Sequence, residues 1–125
     1  MALYVLMIRD ENIEAPNANE AEQQAMFERF VRWTEGLQRR GVLKGVEKLK
    51  TGGRTLRKRA GAVAVDGPFV ETKEQVLGFF LIEAASFEEA QAIGGTCPGL
   101  EAGATLELRE VDAFPKPGLT RAELG

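Results

Sequence analysis

Val65-Asp66-Gly67-Pro68-Phe69-Val70-Glu71-Thr72-Lys73-Glu74, followed by Gly78-Phe79-Phe80-Leu81-Ile82, sets a tight turn, a polar connector and an apolar strand in immediate succession. Asp66 stands where a strand ends, Gly67-Pro68 forces the chain to turn, and the proline ring fixes φ for that turn. Gly78 to Ala84 is dense in bulky apolar residues and reads as a buried strand.

Working outward, residues 2 to 8 are an uninterrupted apolar run that suits a central strand buried on both faces. Asn12 to Asn19, with Pro16, reads as a loop. Asn19 and Glu22 have the spacing of a capping box, and Met26, Phe30, Trp33 and Leu37 recur at helical spacing until Gly41. One long amphipathic helix is therefore predicted, with that stripe as core. Val42 to Lys50 reads as a strand. Gly52-Gly53 opens a second extended piece, Arg54 to Arg59, which Ala60-Gly61 turns back into Ala62 to Val65, so an inserted hairpin is predicted. Ser86 with Glu89 is a second capping box for a short helix carrying Phe87, Ala90 and Ile93 and ended by Gly94-Gly95. Ala104 to Val111 alternates Leu106 and Leu108 with Glu107 and Arg109, a last strand with two unlike faces.

The order β-α-β-(hairpin)-β-α-β is a ferredoxin-like α+β arrangement, with both helices on one face of an antiparallel sheet. Leu3 to Ile8 and Phe79 to Ile82 nevertheless put large apolar side chains on both faces. Burial is favourable by about 25 cal/mol per Å² of apolar surface, so a homodimer stacking sheet on sheet is expected to cover the second face.

The run from Val65 to Glu74 with its Gly-aromatic strand also resembles the DGPF branch of the YCII-related proteins, and the likeness extends from about Leu3 to Val111. The resemblance implies a ferredoxin-like fold paired as a dimeric α/β barrel. In other YCII-related proteins an aspartate belongs to a His-Asp pair, which points to Asp66 here without its histidine. It also implies a link to extracytoplasmic-function sigma factors as the alternative, regulatory role. Residues 1 to 111 are expected to form one domain, and residues 112 to 125, with Phe114-Pro115-Lys116-Pro117-Gly118, an extended arm.

Composition narrows the chemistry. The chain has 125 residues, a net charge of −3 and 28% charged residues, which suits an ordinary soluble domain with no general attraction to nucleic acid. Its first residues are too short an apolar run for a membrane span and have no basic leader, and a lone cysteine, Cys97, fits a reducing cytoplasm. With no histidine, the usual general base, triad mechanisms and most zinc or iron sites fall away, so no metal and no cofactor is expected. Cys97, with no basic neighbour in sequence, reads as inert.

Candidate site residues cluster at the turn. Asp66 is the catalytic candidate, against the reading that it only accepts backbone hydrogen bonds within its own turn. Thr72 and Lys73 are candidates for binding a small molecule, Lys73 as partner for an anion or for Asp66, whereas Glu74 reads as solvated. Phe69 is either a lid or an apolar anchor. Tyr4 and Arg109 are polar groups on apolar strands, and they join the ligand-binding set. For Glu107 and Arg109 the rim of such a pocket is the safer reading. The basic cluster Lys44, Lys48, Lys50, Arg54, Arg57, Lys58 and Arg59 has protection of an exposed hairpin edge as its commoner explanation, and the hairpin has no aromatic platform for nucleic acid.

Overall fold

Strict alternation along Ala2–Asp10 (β1) builds the centre of the molecule: Tyr4, Leu6 and Ile8 are buried, while the residues between them are half-buried. The computed structural model describes residues 1–10, 19–50, 52–67, 75–112 and 118. After β1 come α1 (Glu20–Arg39), β2 (Leu43–Lys48), β3 (Thr55–Arg59), β4 (Ala62–Asp66) and β5 (Gln75–Ala84). They are followed by α2 (Phe87–Gly94), α3 (Pro98–Glu101) and β6 (Thr105–Glu110). β2-β5-β1-β6 form an antiparallel sheet, and β3-β4 form a separate hairpin. This is the expected ferredoxin-like order, with a short helix, α3, that has no amphipathic repeat to announce it.

Both capping boxes operate. Asn19 Oδ1 accepts from the amide of Glu22 at 2.8 Å, and Ser86 Oγ accepts from the amide of Glu89 at 3.1 Å, each satisfying an amide that the helix leaves open. Past the end of α1, Gly41 adopts φ 74°, a left-handed conformation in which a side chain is strained.

Register puts Tyr4 opposite Ile82 and Leu6 opposite Phe80 on the helix-covered face. Leu6 and Ile82 are fully enclosed there, with Ala90 and Ile93 of α2 packed over them. The other face carries Val5 opposite Leu81 and Met7 opposite Phe79, all half-buried. β1 is thus not buried on both faces of the single chain, as its apolar run suggested; the run is continuous because both faces are apolar, but among the described residues only one has helices on it. On the open face, Arg9 and Glu107 form a 2.7 Å ion pair. Glu107 is accordingly held within the sheet surface, while Arg109, level with Val5, is exposed.

The hairpin turns at Ala60 and Gly61, both at positive φ (49° and 81°), the primed geometry that matches strand twist. It packs mainly on itself. Leu56, Val63 and Val65 share one side of it and are exposed. Among the described residues, no helix is long and apolar enough to cross a membrane.

Candidate functional site

The first helix is fastened to the sheet at one end only. Leu37 is its single buried residue, and Trp33 and Phe30 pack partly against the core. Trp33 meets Phe80 edge-on with centroids 4.8 Å apart, and Phe30 lies parallel to Phe80 at 6.4 Å. Toward the helix N-terminus the packing stops: Phe27 is 63% exposed, and Val31 is exposed as well. The stripe that sequence periodicity assigns to core is therefore core at Leu37 and the wall of an opening at Met26.

That opening is a cleft of about 510 Å³. Met26, Phe27, Phe30 and Val31 form its helical wall; Ile8, Val46, Leu77 and Phe80 form the sheet wall. Gly78, Gly99, Ala102 and Ala104 complete the lining with little side-chain volume. Gly78 is required by close approach: a Cβ would lie 2.8 Å from the carbonyl oxygen of Glu47 on β2. Gly99 lies under Phe30, with a Cβ position 3.3 Å from Cζ of that ring. Small residues here leave space that larger side chains would fill.

Among the described residues, Asp10, Thr34, Glu35 and Lys48 put polar side chains toward the cleft, and Glu35 and Lys48 are exposed at its mouth. The Thr34 hydroxyl donates to the carbonyl of Phe30 at 2.8 Å, so it is engaged by its own helix. Glu47 also contributes to the lining, but its register partner Phe79 puts its side chain on the open face of the sheet. An apolar interior of this volume with a few charged groups at the mouth has the form of a small-molecule site.

The residues singled out from sequence do not converge on this cleft. Asp66 ends β4 opposite Thr55 and is exposed. Next to it, Gly67 has φ 133°, and a Cβ there would overlap the carbonyl oxygen of Gly53, so this glycine is demanded by the backbone. Phe69, Thr72 and Lys73 lie outside the described residues. Tyr4 and Arg109 are on opposite faces of the sheet: Tyr4 is in the core, edge-on to Phe87, and Arg109 is in solvent on the far side. Those two do not share a pocket within one chain. Burial pushes the Tyr4 phenol up from its usual pKa, with the carboxylates of Glu110, Glu88 and Glu89 adding to the shift. Cys97 is buried, and burial likewise pushes its thiol up, partly opposed by a hydrogen bond from the Gly99 backbone; a raised thiol is a poor nucleophile, as expected. Among the described residues, no three of His, Cys, Asp or Glu are gathered as a metal would need.

Sequence reasoning missed the cleft because Met26, Phe30, Val46, Leu77 and Phe80 are the residues a core also uses. One signal was present: with Phe27 and Val31 beside Met26 and Phe30, the apolar stripe of α1 is wider at its start than at its end.

Comparison with known proteins agrees with the fold. Residues 2–114 match the sequence profile of the YCII-related domain. An uncharacterised protein of Rhizobium meliloti (strain 1021) is 40% identical over 97 residues, 72% of this chain and 74% of that one. Among solved structures, the 5-chloro-2-hydroxyhydroquinone dehydrochlorinase TftG from Burkholderia phenoliruptrix AC1100, in complex with 2,5-dihydroxybenzoquinone, is similar with a TM-score of 0.50. The two are 16% identical, and the match covers 90% of this chain and 95% of TftG.

Proposed function

We propose, from the premise that the chain belongs to the YCII-related domain family, that it binds a small molecule by its apolar part in the cleft between α1 and the sheet and acts on it there. The observation that carries this reading is the cleft itself, about 510 Å³ of space walled by Phe27, Phe30, Phe80 and aliphatic side chains. Single chains seldom leave so much apolar surface uncovered without a use for it. TftG, of the same fold, acts on a chlorinated hydroquinone, which supports the reading that this fold can house a small organic molecule. Asp10, Glu35 and Lys48 at the mouth are the groups within the cleft able to take or give a proton.

Native mass spectrometry of freshly purified protein tests the reading. A small molecule retained by the wild type and absent from Ala102→Trp, which puts a large ring into the lining from an exposed position, is the expected result. Retention by both proteins would contradict it.

Three companion proposals have separate support. A homodimer is supported by the open face, where Val5, Met7, Phe79 and Leu81 stand together and, among the described residues, no helix lies over them. A site at the turn, with Asp66, Thr72 and Lys73, is supported by the exposure of Asp66 at the end of a strand. A regulatory role has the hairpin in its favour, with exposed Leu56, Val63 and Val65 among Arg57, Lys58 and Arg59; binding to an acidic partner protein that weakens steeply with salt would be its mark.

A further inference from the structure

We infer that the molecule taken by this cleft is ring-bearing and neutral or cationic, and that aromatic acids are excluded; the inference rests on the cleft being a binding site. Three phenylalanines, Phe27, Phe30 and Phe80, contribute to its walls, from the helix and from the sheet. Aromatic walls favour a flat ring, which can meet them edge-on or offset. Among the described residues the interior offers no free polar side chain, since the Thr34 hydroxyl is bonded to the Phe30 carbonyl. Any polar group of the ligand must therefore point to the mouth.

Charge at the mouth then selects. Asp10 and Glu35 bring two carboxylates, and Lys48 brings one ammonium. Even if Asp10 and Lys48 neutralise one another, Glu35 leaves the described edge net negative, and the whole chain at −3 adds the same sign. An anionic ligand would lose hydration against the phenylalanines and meet repulsion at the edge. A cation is drawn to the edge and is also attracted by the faces of the rings. A neutral ring with a hydrogen-bond donor can be received by the carboxylates.

One ring with three charges tests this directly: indole, tryptamine and indole-3-acetate, titrated calorimetrically into the full chain. Tryptamine is expected to bind at least as tightly as indole and about tenfold more tightly than indole-3-acetate, the order of effect that one partly screened charge pair gives. Glu35→Gln should narrow that gap, and Phe27→Ala, at an exposed position, should weaken all three about threefold or more. Indole-3-acetate binding as tightly as indole would overturn the charge selection while leaving the cleft as a site. Failure of all three to bind would overturn both the inference and the proposed function, and a Phe27→Ala protein with wild-type affinities would overturn the aromatic part.

Discussion

The indole N–H of Trp33 donates to Thr96 Oγ1 at 2.8 Å, and the same hydroxyl donates to the carbonyl of Ile93 at 2.6 Å. This pair clasps the anchored half of α1, where Trp33 packs on Phe80, to the chain just past the end of α2. Thr96→Val keeps the shape and removes both bonds. It should lower stability by about 1 kcal/mol in urea denaturation and weaken ligand binding in the cleft, since the helical wall is held from this end.

Gly78 and Gly67 should respond to a methyl group in different ways. At Gly78 the added Cβ meets the Glu47 backbone inside the sheet, where nothing can move aside cheaply, so Gly78→Ala should cost about 1–3 kcal/mol in the global unfolding transition. At Gly67 the clash is with Gly53 and Arg54 at the base of the hairpin. Gly67→Ala should therefore raise hydrogen exchange chiefly in Thr55–Arg59 and Ala62–Asp66, with the midpoint of the main sheet little changed. Equal loss of protection in both sheets would show that the hairpin is not a separate unit.

Alkali should destabilise the fold through Cys97 and Tyr4. Each is neutral when protonated, and each has its pKa raised in the folded chain, so the folded state holds these protons more tightly than the unfolded one. Their contribution is complete below the unfolded values, about 8.5 for the thiol and about 10 for the phenol, and is lost as pH rises from there through the higher folded values. Denaturation midpoints at fixed ionic strength should fall across that range, and Cys97→Ser with Tyr4→Phe should flatten the fall. Native Cys97 should also resist alkylation at neutral pH until denaturant is added.

Much of the fold was legible because local chemistry and global order agree. Asn19 and Ser86 cap the helices their spacing announces, Ala60-Gly61 turns the hairpin, and Leu106 and Leu108 alternate with charged neighbours as β6 does. Helix α3 was not legible, being one turn held by backbone bonds around Cys97 and Gly99. The cleft was hidden for a different reason. Apolar residues such as Met26 and Phe30 look the same whether helix and sheet close upon them or stand apart, and only the tilt of α1 decides which. The turn at Asp66-Gly67 was legible as a turn, and its glycine is accounted for by backbone packing, which by itself gives Asp66 no ligand.

A sheet face made of Val5, Met7, Phe79 and Leu81 should bring two copies together. Analytical ultracentrifugation at micromolar concentration should show a dimer, and Leu81→Glu, which introduces a charge at the centre of that face, should shift it to monomer. A wild-type monomer that melts cooperatively would contradict the stacking of sheet on sheet.

The central claim, that the cleft between α1 and the sheet is the binding site, is tested most directly by mapping amide chemical shifts while indole is titrated into labelled protein. The expected result is a saturable set of shifts at Phe27, Val31, Lys48, Gly78 and Ala104, with Asp66 and the hairpin unaffected. Shifts confined to Thr55–Arg59 and Ala62–Asp66, or to the Val5 and Leu81 face, would place binding elsewhere and contradict the claim.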